Sequence, residues 1–504
     1  MFKVQSSKNS YGLTVLLSYG LMVLWSFLLF SPLNSFSQID PPLRIELEGS
    51  KDQQDYKFFS LADKGVAVFY QSALITADTA QWVFIHYDTN LVRTHFYKIK
   101  LPIQCQYLAA DFSDNKLYLF LQKPAYKKDT LKNYLLEWEV NTPVFQLFDL
   151  QNYRSSYLSS IKVKDDYLFI TVDDLKTKAI IYYNFKTHTK QTIQLADEEI
   201  TNIESFCIDT IAKTTCFCMF LKNRQGSHAE LFVTDYSGKI KERQVLPYYN
   251  DMIYNSVKIA LVGRDSLQLV GGYSNNKEKK PKGSYSGIYT LLFTKNRFSD
   301  KKTYSLGLLS ANDSALNVKL MAESNVMMNL HITQHQGKVF AITEVFYPEY
   351  QYTNSSYRTY GYYGYEPPMQ TFTGFRFMNA YISEFNAQGI LQNEWYFPFK
   401  NVLTQSLYKL VDLYQDAEKN ILFYYTYKNN LFSQFMNGKQ VLSPQTTIPI
   451  ELTNKTDILE YSSDVSMQHW YDNKFLVSGY QYIKNTQRGK GKRYVFFLNK
   501  LVCE

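Results

Sequence analysis

The residues able to do chemistry are scattered along this chain rather than clustered. Five cysteines in 504 residues are too few for a disulfide scaffold. Cys105 and Cys503 stand alone, whereas Cys207, Cys216 and Cys218 lie close together. A hairpin turning at Ile211-Ala212 sets Cys207 opposite Cys216. An oxidising compartment joins such a pair; the other reading is buried thiols packing as small hydrophobes. Zinc chemistry lacks a fourth ligand. His331 and His335 sit at even spacing and share one strand face, but no further metal ligands can be placed beside them. His86, His95, His188, His228 and His469 form no constellation. Gly283-Ser284-Tyr285-Ser286-Gly287 has the spacing of a nucleophile elbow, which needs a strand before it and a helix after it. Here a lysine-rich loop precedes and an apolar strand follows, so the segment reads as a strand entry. H-E-x-x-H, a phosphate-binding glycine loop and an EF-hand loop are absent from the sequence. Paired carboxylates for glycoside chemistry stay open, because such pairs are distant in sequence. No cofactor and no metal are implied.

Recognition chemistry is better represented. The chain holds 43 tyrosines and 35 phenylalanines. Tyr347, Tyr350, Tyr352, Tyr357, Tyr360, Tyr362, Tyr363 and Tyr365 crowd one segment whose Gly and Ser spacing resembles that of binding loops. Such rings stack on sugars or grip a peptide; the alternative is a hairpin extension that packs its own aromatics. Lysines gather in Lys277, Lys279, Lys280 and Lys282, and again in Lys490 and Lys492. The formal net charge of +8 permits an anionic partner without demanding one. Nucleic acid is disfavoured because the chain begins like an exported one. Asn312, Asn354 and Asn454 head Asn-x-Ser/Thr sites, relevant only in a glycosylating host.

The elements that must carry these residues are short strands that repeat. Apolar segments meet tight polar turns at Asp63-Lys64-Gly65, Asp114-Asn115-Lys116, Asp165-Asp166, Ala212-Lys213, Arg264-Asp265, Gln336-Gly337, Glu418-Lys419 and Asp472-Asn473. Most lie about 50 residues apart, the period of a four-stranded propeller blade. The spacing predicts strands over 107–111, 116–121, 134–140 and 144–149 in the second unit, and a matching set in the third and fourth. The fold class expected is all-β, a β-propeller of about eight four-stranded blades. Seven blades or two β-sandwiches are the alternatives. The last unit offers strands over 466–470, 474–482 and 493–498 and then lacks a fourth. Leu43-Arg44-Ile45-Glu46-Leu47-Glu48 alternates cleanly and is spare, so it is expected to complete the last blade and close the ring. Trp25, Trp82, Trp138, Trp395 and Trp470 do not repeat in register, so the resemblance is to the propeller superfold alone.

In a propeller the first and third turns of each blade share one face, and the second turn and the inter-blade loop share the other. Here the long segments fall in the second group, at 123–132, 275–283, 307–327, 347–373 and 485–492. That loop face carries Lys123, Lys127, Lys128, Lys132, Arg488 and the lysines above; the opposite turns carry Asp63, Asp114, Asp165, Asp166, Asp265, Asp416, Glu418 and Asp472. The charge pattern predicts a molecule basic on one face and acidic on the other.

Lys3 and Lys8 precede an apolar run over 13–30, followed by Ser35-Phe36-Ser37 and Gln38. This reads as a signal peptide over 1–37, or an anchor helix if it is retained. Residues 38–504 are then expected to form a single propeller domain with a Tyr-rich insertion at 347–373. Export to the periplasm, cell surface or medium follows, with membrane contact only through an uncleaved 13–30. The leading functional expectation is a binding or scaffold protein that engages a glycan or protein partner through the loop face. The competing one is an enzyme acting on an extracellular polysaccharide or peptide in the central channel.

Overall fold

The computed structural model describes residues 2–3, 43–49, 55–74, 76, 78–123, 132–150, 158–173, 178–193, 199–223, 226–264, 266–275, 285–305, 326–353, 369–485 and 491–503. They form eight antiparallel sheets, each a blade of a β-propeller. Blades 1 to 7 span 57–102, 106–149, 158–192, 199–245, 252–305, 327–404 and 412–449. Blade 8 combines 457–503 with Leu43–Gly49. Within a blade the strands A to D follow chain order, and A strands of blades 2 and 3, 4 and 5, and 5 and 6 touch one another.

Burial explains why the strands read as they do. The middle strands are covered on both sides by adjacent blades, so Lys116–Lys123 is a nearly unbroken apolar run, buried from Leu117 to Gln122. The outer strand of blade 1, Arg93–Pro102, has one solvent face and alternates. Tight turns supply the left-handed backbone that hairpins require: Asp114 and Asn115 have φ of 53° and 63°.

The core is a ring rather than a ball. One cluster packs blade 1 on blade 2 around Phe84, Leu119 and Trp138. Further clusters join each successive pair, and the last joins blade 8 to blade 1 through Trp470, Phe496, Val68 and Ile85. Hydrogen bonds cross the same seams. Val163 N–H donates to Asp111 at 2.7 Å, Ile259 N–H to Ser205 Oγ at 3.0 Å, and Trp470 Nε1 to the Gly65 carbonyl at 3.1 Å.

The ring closes as the spare strand predicts. Leu43–Gly49 pairs antiparallel with Lys492–Cys503, from Leu43 opposite Lys500 to Gly49 opposite Tyr494. Phe2–Lys3 continues that edge against Val502 and Cys503. It lies inside the segment expected to be removed, so a chain shortened to Gln38 keeps only Leu43–Gly49 there. The apolar run 13–30 lies outside the described residues.

Two blades depart from the regular pattern. In blade 5, strand A is split into Met252–Tyr254 and Lys258–Gly263, both paired with Ser266–Asn275. In blade 6 the expected loop insertion is partly ladder. Strands Lys338–Thr353 and Met369–Phe385 run far past the neighbouring blades, with Tyr347 opposite Arg376 and Tyr352 opposite Gln370.

Candidate binding face

The blade 6 extension carries the described part of the tyrosine segment. Tyr350 and Phe372 face each other across it, 48 % and 39 % exposed, with ring centroids 5.7 Å apart. Phe375 continues the row 5.0 Å from Phe372, and Phe346 anchors it in the core. Glu349 and Arg376 brace the other side with two hydrogen bonds, at 2.7 and 3.0 Å. The bonds from Arg376 hold the Glu349 carboxyl below its ordinary range. Tyr357, Tyr360, Tyr362, Tyr363 and Tyr365 lie outside the described residues. So do Lys277, Lys279, Lys280, Lys282 and Lys490.

Aromatic side chains continue along the loop face over blades 7 and 8, where the sequence did not point. Tyr408, in the connection from blade 6 to blade 7, is 50 % exposed, and Tyr461, near the start of blade 8, is 56 % exposed. Leu407 and Ile458 are exposed beside them in the chain. Tyr480 and Tyr494 stack at 5.3 Å, and Tyr480 donates to the Tyr56 carbonyl at 3.0 Å. Strand A of blade 8 runs Asp457–Tyr471, longer than the expected 466–470. Register shifts interrupt its alternation and hid the first half from a period-two reading.

The expected charge polarity is offset in part where it is described. Lys492 pairs with Glu460 at 2.9 Å and sits 5.4 Å from the Tyr482 ring. On the opposite face Asp63, Asp114, Asp165, Asp166 and Asp472 each have a lysine within 2.7–3.9 Å. Exposed pairs of this kind contribute little to stability but cancel a long-range field.

The channel wall is likewise paired. Lys162 meets Asp111 at 3.0 Å and Lys258 meets Glu204 at 3.3 Å, each bridging A strands of adjacent blades. Glu344 is fully buried and accepts from the Leu410 and Val411 amides, both at 2.7 Å. His331 Nε2 meets the Val411 carbonyl at 3.2 Å, and its Nδ1 is buried without a partner. Among the described residues no three His, Cys, Asp or Glu side chains stand close enough to hold a metal. Two grooves, of about 510 and 640 Å³, run between the outer strands of blades 3 and 4 and of blades 6 and 7.

Burial pushes the Glu344 carboxyl up to about 7 from 4.5, against the pull of its two amide donors. Between those values the folded state holds a proton that the unfolded chain has released. That contribution to stability therefore falls as pH rises from 4.5 to 7. Burial holds His331 neutral down to about 3, which acts in the opposite direction below its ordinary 6.5. The effect of Glu344 is thus read as a difference. The melting temperature of Glu344→Gln minus that of the parent is expected to rise between about pH 5 and about pH 8. A constant difference would assign Glu344 an ordinary titration.

Cys207 and Cys216 are register partners, as the hairpin predicts, and none of the five cysteines is in a disulfide. The Cys207 thiol is hydrogen-bonded to Cys216, which, with burial, raises its pKa well above the ordinary value. Gly283 and Ser284 lie outside the described residues, and Gly287–Thr294 is strand C of blade 5, so the G-x-S-x-G segment does lead into a strand.

No family model matches the chain, and no curated protein matches it. Solved structures similar to it include the polysaccharide lyase Uly1, at 9 % identity over 79 % of this chain and 90 % of that one, TM-score 0.42. The β-propeller domain of the Trilobed protease from Pyrococcus furiosus is 9 % identical over 79 % and 93 %, TM-score 0.35. The Dos1 propeller is 11 % identical over 79 % and 92 %, TM-score 0.39. At this identity nothing about ligand or reaction transfers. The chain itself is an eight-bladed β-propeller closed by its N-terminal strand.

Proposed function

We propose that this protein is an exported binding or scaffold module that engages a glycan or protein partner through the loop face of blades 6 to 8. The observation that carries the proposal is the blade 6 extension. A ladder lengthened past its neighbours presents an exposed aromatic pair, Tyr350 and Phe372, backed by Phe375. Rigid rings presented this way supply contact area at low entropic cost. The Asp111–Lys162 and Glu204–Lys258 pairs occupy the channel carboxylates with structural contacts, which favours binding over channel chemistry.

A screen of glycans and envelope proteins against the exported chain tests this. Tyr350→Ala with Phe372→Ala is expected to weaken the selected partner at least tenfold, about 1.4 kcal/mol, with the melting temperature little changed. Turnover of a glycan or peptide that survives these changes and is lost on substituting channel residues would replace the binding reading with the enzymatic one.

Export rests on the basic start, the apolar run 13–30 and the small residues before Gln38. The intact mass of the exported protein is expected to begin at Gln38; a mass lower by two hydrogens would join Cys207 to Cys216. A mass that includes residues 1–37 would make the protein membrane-tethered, and a full thiol count would leave the cysteines as packing groups.

A further inference from the structure

We propose that the inner edge of strand B in blade 6, from Pro348 to Tyr352, takes up an extended peptide segment of a protein partner as an added β-strand, with apolar side chains of that segment set against Tyr350 and Phe372. This inference rests on the binding-face reading and chooses a peptide over a glycan.

The edge is defined by where its neighbours stop. Strand A of blade 6, Met327–His335, pairs with strand B, Lys338–Thr353, only as far as Met327 opposite Phe346. Strand D ends with Thr404 opposite Phe375 of strand C. The ladder between strands B and C runs on, from Tyr347 opposite Arg376 to Thr353 opposite Met369. Past Phe346, strand B therefore has strand C on its outer side. On its inner side, where strand A has ended, no strand lies among the described residues.

The backbone groups that face this edge can be named. The Glu349 carbonyl accepts from Thr373 Oγ1 at 2.9 Å, so it points toward strand C. Successive residues of a strand direct their backbone groups to alternate sides. The register shift after Glu349 leaves its extra residue, Thr373, on strand C, so strand B keeps its alternation. The N–H and C=O groups of Tyr350 and Tyr352 thus point to the inner edge. Pro348 shares that side, and proline is admitted to a ladder only where its missing N–H has no partner to serve.

This edge lacks the usual guards. The outer strand of blade 1 carries Arg93, Lys98 and Lys100, and that of blade 4 carries Lys241, Glu242 and Arg243, charges that keep free edges apart. From Pro348 to Tyr352 the only charged residue is Glu349, and Arg376 neutralises it from strand C. On the other side of the hairpin, Gln405 Nε2 caps the Thr373 carbonyl at 2.7 Å.

An extended backbone repeats its donors and acceptors at the same two-residue interval as Tyr350 and Tyr352, so it satisfies both together. A strand laid there turns every second side chain to the face of Tyr350, Phe372 and Phe375, where apolar groups pack best. The remaining side chains fall on the side of Glu349, whose charge is already matched, which suits polar uncharged residues.

Displayed random peptides of about ten residues, selected on the full exported chain, test this. The selected sequences are expected to alternate apolar with polar residues. Synthetic copies methylated at alternate backbone nitrogens, read by fluorescence anisotropy, separate backbone pairing from side-chain contact. Methylation in one phase removes the donors that face the edge and is expected to weaken binding about tenfold or more, whereas the other phase faces solvent and costs little. Tyr352→Pro removes an edge donor and is expected to bind about tenfold more weakly than Tyr352→Ala at a similar melting temperature. Failure to select any peptide, equal effects of the two methylation phases, or equal affinity of the two Tyr352 variants would each overturn the proposal. A partner that depends on Tyr350 and Phe372 yet is not displaced by the selected peptide would overturn strand addition while leaving the binding face intact.

Discussion

A chain lacking residues 43–49 is expected to melt at least about 5 °C lower than its parent and to associate through the edge it exposes. The strand is the outer member of blade 8, and its loss uncovers the free side of Lys492–Cys503 from Tyr494 to Lys500. It also removes Ile45 and Leu47 from the seam between blades 8 and 1. A charge network goes with it. Arg44, 3 % exposed at its side chain, donates to Glu46 at 2.9 Å, to Gln481 at 2.6 Å and to the Glu451 carbonyl at 3.0 Å. Its guanidinium lies 4.5 Å from the Phe497 ring. Arg493 spans Glu46 at 2.7 Å and Asp457 at 2.5 Å, so the network reaches from the closing strand to strand A of the same blade. Burial of the apolar side chains and of this network is on the order of 5 kcal/mol together. Arg44→Ala alone is expected to cost about 3 kcal/mol, since it leaves buried acceptors unpaired. Burial would raise the Glu46 carboxyl, yet Thr453 and the two guanidinium groups outweigh it and hold it below its ordinary 4.5. That contribution is present above 4.5 and is lost as pH falls through the lowered value. Thermal unfolding with light scattering checks the deletion; an unchanged melt would sink the closure as a stabilising device.

Gly271→Ala is expected to destabilise by at least about 4 kcal/mol or to prevent folding. A Cβ at Gly271 would lie 1.9 Å from the Ser256 carbonyl oxygen and 2.6 Å from the Tyr289 hydroxyl. Neither can step aside. Tyr289 is fully buried and donates to that same Ser256 carbonyl at 2.9 Å, and Ser256 Oγ accepts from the Gly272 amide at 3.0 Å. The split in strand A of blade 5 carries Ser256, so the glycine makes room for backbone that leaves the ladder there. Gly263→Ala is the control. Among the described residues its Cβ would meet only Ser266, at 3.5 and 3.6 Å, which is ordinary contact, and the melting temperature is expected to stay close to the parent's. Equal stability of the two variants would refute the steric account.

The blade count and the closure were legible because they depend on period and alternation. Turns such as Asp114-Asn115 mark the hairpins, and the alternation of 43–48 marks a strand with one covered face. What escaped was set by interruptions of the period. Tyr461 and Asp464 sit where strand A of blade 8 shifts register, so the first half of that strand read as loop. Tyr350 was visible as a tyrosine but not as part of a ladder, because Gly374 and a register shift break the pattern opposite it. Lysine and aspartate counts suggested a polar axis; which side chains meet, as Lys164 meets Asp114, is a matter of distance between blades and has no trace in spacing.

The pairing of Leu43 with Lys500 also sets an order of events during synthesis. At about 5–20 residues per second, the two partners leave the ribosome roughly 20–90 s apart. Blades 1 to 7 are each built from one continuous stretch of chain and can form as they emerge. The strand 43–49 has no ladder partner until the last one arrives. Through that interval it is an unpaired β-edge seeking a neighbour, so the ring locks in a single final step, and anything that holds that strand aside also holds the propeller open.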